Sequence, residues 1–242
     1  MDFSENPYYD WKKQIRVAMR KFFSLFLLLL IAPLFAHIHE GQPAAIKDVI
    51  PFALKQNKNF QDHVFIENAF TPKECAKIID YGLKIGLYTA EVGEKDKATV
   101  TNKIRKSRVA WLGWSPEIDW VFERLTKYAK QINHKHYKFD LSGFFEKLQF
   151  TEYLAPDSHY SWHMDLAEGE LSRRKLSLVV QLSSPDDYQG GELQFFAEPL
   201  KIVPKKHGAL TIFPSYMYHR VTPITKGKRY TLVVWISGHP FR

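Results

Sequence analysis

Four side chains drawn from three separate stretches of the sequence constrain this chain more than its composition does. His163 and Asp165 stand two residues apart in Tyr160-Ser-Trp-His-Met-Asp165. Side chains alternate faces along an extended strand, so these two lie on the same side and can grip one ion. Alone, such a pair is a frequent accident in a chain with 10 His and 26 Asp plus Glu. Two residues downstream make accident a poorer explanation. His219 comes 56 residues later, after the strand-like Ala209-Leu-Thr-Ile-Phe213 and the turn Pro214-Ser215. Two imidazoles and a carboxylate form a facial set that leaves positions of an octahedral metal open, the arrangement suited to non-haem Fe(II). Arg229 stands 10 residues beyond His219 and opens Arg229-Tyr-Thr-Leu-Val-Val-Trp235, in which Arg229, Thr231, Val233 and Trp235 share a face. A buried Arg facing a metal needs an anion, and its fork matches a carboxylate.

Only a fold that brings sequence-distant strands together can assemble this set. From Phe144 onward strand signals dominate, punctuated at Gly190-Gly191, Lys206-His207-Gly208 and Lys226-Gly227-Lys228. The expected fold is mainly β with flanking helices: a double-stranded β-helix, the jelly-roll barrel also used by cupins. Aromatic residues at 15% suit pleated faces. Upstream, Val64–Phe70 reads as a strand. Thr71 caps a helix running to about Leu87, with Pro72 in the first turn and Glu74 three residues after the cap. Lys103–Leu112 reads as a strand over the mouth of the site, and Ser115–Tyr137 as a second helix on Ile118, Val121, Phe122, Leu125 and Tyr128.

The combination His163-x-Asp165, His219 and Arg229 resembles the iron- and 2-oxoglutarate-dependent dioxygenases, and its surroundings resemble their prolyl 4-hydroxylase-like branch, including phage and bacterial members. Leu148-Gln-Phe-Thr-Glu-Tyr153, Arg174-Lys-Leu-Ser-Leu178, Ser184–Leu193 and Trp235–Arg242 carry the likeness, which covers roughly residues 60 to 242. The resemblance implies Fe(II) on His163, Asp165 and His219, with 2-oxoglutarate chelating the metal and its distal carboxylate on Arg229. Thr231 and Tyr153 are then expected to donate hydrogen bonds to it, with Tyr160 the alternative to Tyr153. It also brings in ascorbate as an accessory factor. The implied activity is hydroxylation of an unactivated C–H bond with dioxygen, peptidyl proline being the first substrate in view and a free amino acid, another protein side chain or a sugar remaining open, with release of succinate and carbon dioxide. Asp165 points to hydroxylation, because related halogenases replace this ligand with a small residue. Many animal and plant prolyl 4-hydroxylases carry Lys where this chain has Arg229, which weakens transfer of a collagen-type substrate. Arg105, Trp111, Trp162 and Gln181 are candidates for the substrate entrance, with a surface or packing role as the plain alternative. Trp235 is read as packing. The competing functions are a cupin-like metalloprotein that does not use 2-oxoglutarate and a non-catalytic recognition barrel.

The remaining sequence bounds the setting. At 242 residues the chain holds one catalytic domain and an extension. Residues 1–36 combine Lys12, Lys13, Arg16, Arg20 and Lys21 with a 15-residue apolar run, Phe22–Ala36. This is shorter than the ~20 residues of a spanning helix and has the length of a signal core. An export signal, beginning at Met1 or Met19, or a short anchor is expected, with a cytoplasmic location as the alternative. Residues 37–59 read as a linker, with His37 and His39 exposed, and residues 60–242 as the catalytic domain. The net charge of +8 is scattered in short clusters, which favours a solvated surface over nucleic-acid binding. Cys75 is the sole cysteine, so an intramolecular disulfide and a Cys-based zinc site are excluded. Its helical setting makes it a buried or half-buried thiol.

Overall fold

Residues 57–90 and 102–241 are described by the computed structural model, and the unit they form runs from Lys58 to the C-terminal end. The expected signal or anchor segment, most of the linker and His37-x-His39 lie outside the described residues. Among the described residues, no helix is long and apolar enough to cross a membrane.

Strand β1 (Val64–Ile66) leads to helix α1 (Pro72–Ile85), then β2 (Tyr88–Thr89), β3 (Arg105–Lys106), β4 (Arg108–Leu112) and helix α2 (Asp119–Ile132). The remaining strands are β5 (Leu141–Gly143), β6 (Leu148–Leu154), β7 (His159–His163), β8 (Arg174–Gln181), β9 (Tyr188–Gly190), β10 (Leu193–Phe195), β11 (Lys201–Ile202), β12 (Leu210–Pro214), β13 (His219–Val221) and β14 (Ile224–Gly238). The major sheet runs β1-β12-β8-β14-β6-β4-β2, with β5 and β9 also on β14; the minor sheet runs β11-β10-β13-β7-β3. Every pairing is antiparallel. Antiparallel pairing of strands far apart in sequence is the topology of the expected double-stranded β-helix.

Period-2 alternation makes the major sheet a partition. Leu148 and Phe150 of β6, Leu176, Leu178 and Val180 of β8, and Tyr230, Leu232, Val234 and Ile236 of β14 join one apolar core with Cys75 and Ile78 of α1 and Val121, Leu125, Ala129 and Ile132 of α2. The intervening residues Gln149 and Tyr153, Val179, and Arg229, Thr231, Val233 and Trp235 line a cavity on the opposite face. Helices on one side and chemistry on the other therefore result from strict alternation. At Gly82 of α1 a Cβ would fall 2.4 Å from the Phe150 ring, so glycine lets the helix close onto the sheet.

Helix α1 starts where the sequence indicates. Thr71 Oγ1 accepts from the Glu74 N–H at 3.3 Å, and the Glu74 carboxylate accepts the Thr71 N–H at 2.8 Å, completing a capping box. Cys75 is fully buried, and burial pushes its thiol up to about 12. Two expectations need correction. The stretch Lys103–Leu112 is two strands: β3 pairs with β7 in the minor sheet, and β4 pairs with β6 in the major sheet, so the chain changes sheets at Ser107. The second helix begins at Asp119, because Ser115–Ile118 forms a turn closed by the Ile118 N–H on the Ser115 carbonyl at 3.1 Å, and it ends in a π-helical turn, Asn133–Tyr137.

The carboxyl of Glu74 is drawn from 4.5 down to about 2, chiefly by the Arg124 guanidinium and then by the Thr71 N–H. A depressed carboxylate contributes stability fully above its unfolded value and loses it as pH falls through the folded one. Glu74→Gln is expected to destabilise the domain by about 1 kcal/mol at pH 7. In urea melts the gap to the unaltered protein should narrow steadily as pH falls from 4.5 towards 2.

Candidate metal centre

His163 ends β7 and His219 begins β13, and the two are direct cross-strand partners. A bulge sets Tyr160–His163 of β7 against His219–Val221 of β13. The extra residue turns both Tyr160 and His163 inward although they are three apart. Their rings stack at 3.5 Å between centroids and 14° between planes. Asp165 lies just beyond the strand, whereas the sequence placed it within one. Its N–H and that of Leu166 both donate to the Ser215 carbonyl at 3.0 Å, which anchors the ligand loop to the turn after β12.

His163 Nε2 lies 3.6 Å from Asp165 Oδ1, and His219 Nε2 lies 3.8 Å from Oδ2. All three potential donor atoms fall within 4.8 Å of one another. This spacing fits one ion held by bonds of about 2.1 Å. The tautomers fit as well. His163 Nδ1 is 2.8 Å from the Ser161 carbonyl and His219 Nδ1 is 2.8 Å from the Met217 carbonyl, so each Nδ1 carries the proton and each Nε2 is left to bind. Burial and the neighbouring His163 pull His219 down to about 4, which leaves its imidazole neutral at physiological pH. Burial pushes the Asp165 carboxyl up, but His219, His163 and Arg174 together overcome it and hold the group well below the usual carboxylate range. Asp165 Oδ2 accepts from Ser177 Oγ at 2.6 Å, and Ser177 in turn contacts Ser215 Oγ at 3.0 Å.

Arg229 lies farther along the same cavity and is 3% exposed. Its Nε donates to Gln181 Oε1 at 3.0 Å, and no carboxylate among the described residues pairs with it. Tyr153 is its cross-strand partner, with the guanidinium 5.6 Å from the ring centre. Thr231, two residues on, is also buried on the cavity lining. Tyr188 lies against the guanidinium and Gln181 with its buried hydroxyl lacking a well-formed hydrogen bond, and burial raises its pKa. A buried cation and a hydroxyl, both short of partners, form a receptor for an anion. At Gly191 a Cβ would fall 2.2 Å from Ile224 Cδ1 and 3.2 Å from Arg229 Cδ, so any larger residue would intrude on this end.

Of the four entrance candidates, Arg105 and Trp111 line the cavity. Trp162 does not; it stacks on Tyr218 and meets Phe196 edge-on, both of them exposed. Gln181 orients Arg229 instead of meeting solvent. Tyr160 adjoins His163, so Tyr153 is the tyrosine beside Arg229. Trp235 lines the cavity with its buried Nε1 unpartnered and Arg174 over its ring at 3.6 Å. The supporting residues Ser177, Ser215, Gln181 and Tyr188 were not assigned these roles from sequence. Their one signal was the lone Ser within Lys175-Leu-Ser-Leu-Val-Val180.

A jelly-roll holding an open two-histidine, one-carboxylate set opposite a buried guanidinium defines the class of non-haem iron oxygenases. Residues 148–237 match the family model described as the 2OG-Fe(II) oxygenase superfamily. A PKHD-type hydroxylase of Synechococcus sp. (strain CC9605) is 38% identical over 82 residues, covering 33% of this chain and 37% of the relative. One from Hyphomonas neptunium is 39% identical over 87 residues, covering 33% and 38%. The chain thus spans little more than a third of the length of the curated relatives it matches. Among solved structures, a Trichoplax adhaerens prolyl hydroxylase in complex with a hypoxia inducible factor peptide fragment superposes with a TM-score of 0.62 at 16% identity, covering 82% of this chain and 94% of that one. The viral collagen prolyl hydroxylase of Paramecium Bursaria Chlorella virus-1 gives 0.58 at 20%, covering 74% and 97%. Residues 148–237 are thus similar to the 2OG-Fe(II) oxygenase superfamily, whose cofactors are Fe(II) and 2-oxoglutarate, and the fold is like that of the prolyl hydroxylases.

Ser177→Ala frees one Asp165 oxygen without altering the backbone. It is expected to weaken Fe(II) binding about 10- to 100-fold in an anaerobic titration while leaving the melting transition cooperative. Unchanged affinity would reduce Ser177 to packing.

Proposed function

We propose that this chain hydroxylates an unactivated C–H bond, with His163, Asp165 and His219 holding Fe(II), and Arg229, assisted by Thr231 and Tyr153, holding the distal carboxylate of 2-oxoglutarate. The observation that carries this reading is a buried guanidinium without a counter-ion among the described residues, in the same cavity as three convergent donors. Bound Fe(II) and 2-oxoglutarate supply the oxidising chemistry, using dioxygen and releasing succinate and carbon dioxide. The chain's own work is placement. The backbone carbonyls of Ser161 and Met217 keep each Nε2 deprotonated and aimed inward. Ser177 fixes the carboxylate plane, and Gln181 holds Arg229 square to an incoming carboxylate. Val179, Leu193, Val221 and Val233 complete an apolar wall that limits water at the reacting end.

A prolyl residue is the substrate class we infer first, supported by the likeness in fold to the two prolyl hydroxylases named above. Ascorbate is an accessory factor in this reading. We assign catalysis to the domain from about residue 60 onward, and an export or anchoring role to residues 1–36, supported by basic residues preceding the apolar run. The mass of the chain recovered from its host tests the latter, since an intact N-terminus in a soluble fraction defeats it.

Anaerobic addition of Fe(II) and then 2-oxoglutarate should produce the visible metal-to-ligand charge-transfer band. Arg229→Ala should weaken 2-oxoglutarate at least about 30-fold with little change in Fe(II) affinity. Equal loss of both would remove Arg229 from the co-substrate's site.

A further inference from the structure

Among the described residues three arginines are buried: Arg105, Arg174 and Arg229. Arg174 has the expected partner, a two-pronged contact with Glu146 at 2.7 and 2.5 Å. The less buried Arg108 and Arg124 are likewise paired, with Glu152 and Glu74. Arg229 and Arg105 lack a carboxylate among the described residues, and both line the cavity. Only the first is accounted for by the co-substrate.

Arg105 enters from β3 of the minor sheet and is 6% exposed. Its Nε donates to Ser107 Oγ at 2.8 Å, and its Nη1 reaches across to Gln149 Oε1 of the major sheet at 3.3 Å. The guanidinium lies 4.7 Å from the centre of the Tyr160 ring that stacks on His163, which fixes it beside the metal ligands. Nη2 is buried and has no hydrogen-bond partner. Leaving a buried cation with an unused donor is costly unless a ligand completes it. Formal charge gives the same answer. A ferrous ion with Asp165 leaves one positive charge, the two guanidinia raise this to three, and the 2-oxoglutarate dianion removes two. One positive charge is left, on the side away from Arg229.

We propose that Arg105 is the substrate's anion-binding residue and that the substrate presents a carboxylate to Nη2, as a free amino acid or the C-terminal residue of a peptide does and an internal residue does not. Its carbon skeleton lies against Trp111, Tyr160 and Trp235, and the unpartnered Trp235 Nε1 offers a second donor. At about 270 Å³ the cavity sits at the small end of ligand pockets, which suits a co-substrate and one compact molecule. This inference rests on the reading of the cavity as an Fe(II) and 2-oxoglutarate site.

The test uses the full chain, anaerobic and loaded with Fe(II) and 2-oxoglutarate, titrated with cyclopentanecarboxylate and separately with cyclopentanecarboxamide. A shift of the charge-transfer band and quenching of tryptophan fluorescence report occupancy. The carboxylate is expected to bind at least about tenfold tighter than the amide. Arg105→Gln should abolish that preference while keeping the affinity for 2-oxoglutarate, and Arg105→Lys, the safeguard should the first variant not fold, should retain part of it. Equal binding of the two probes, or no binding of either, overturns the proposal. So does an Arg105→Gln variant that loses 2-oxoglutarate, which would assign Arg105 to the co-substrate. Absence of the band from folded protein overturns the iron and 2-oxoglutarate reading instead, and tryptophan fluorescence still shows whether the carboxylate preference exists.

Discussion

The register between β7 and β13 is the constraint on which the site depends. His163 and His219 are opposite one another across that ladder, and a slip of one residue would turn one imidazole out of the barrel. The register is pinned from both sides, by β10 on the outer flank of β13 and by β3 on the outer flank of β7. The bulge within β7 adds a second determinant. It lets Tyr160 stack on His163 while the Arg105 guanidinium lies 4.7 Å from its ring centre, so a local irregularity in pairing joins the metal ligands to Arg105.

Burying an ionised carboxylate between two imidazoles is unfavourable without compensation, and much of the surrounding structure supplies it. Ser177 and the Ser215 hydroxyl form a relay to one oxygen, and the Asp165 backbone is tied to Ser215 and Arg174. Arg174 is neutralised in turn by Glu146 and stacked on Trp235. The charge that steadies Asp165 is therefore itself steadied; Arg174, Arg105 and Arg229 all line the cavity, and among the described residues only the last two of these lack a carboxylate beside them. Scaffold cations and ligand-seeking cations are separated by whether a glutamate stands beside them.

The parts of this arrangement legible in sequence were those encoded locally or by alternation. The Thr71–Glu74 capping box fixed the start of α1, and the period-2 pattern in Arg229–Trp235 predicted which face of β14 meets the cavity. The convergence of His163, Asp165 and His219 was legible because strand signals and residue types agreed. What could not be read was encoded between strands. The switch of sheets at Ser107 leaves no compositional mark, since both halves of Lys103–Leu112 have similar propensity. Gln181 and Trp162 read from sequence either as entrance residues or as surface and packing residues. Gln181 turns to Arg229, and Trp162, next to the inward His163, alternates to the outer surface with Tyr218 and Phe196, whereas the bulge in β7 brings Tyr160 inward three residues before His163. A single skipped residue in pairing decides this, and pairing is a property of two strands.

The major sheet also explains how one domain can carry two unlike tasks. Its helix face is close-packed and apolar, so α1 and α2 stabilise the sheet without entering the chemistry. Its cavity face is free to hold Gln149, Ser177, Gln181, Arg229 and Thr231, polar groups that would be intolerable in the core, because alternation removes them from it at every second position. The minor sheet contributes His163, His219, Tyr160 and Arg105 from three short strands, and Leu193 and Val221 to the apolar wall. Division of labour between a broad supporting sheet and a narrow ligand-bearing one arises because two imidazoles meet across a ladder with Asp165 just beyond it, while the residues that steady that carboxylate, Ser177 and Arg174, come from the opposite wall.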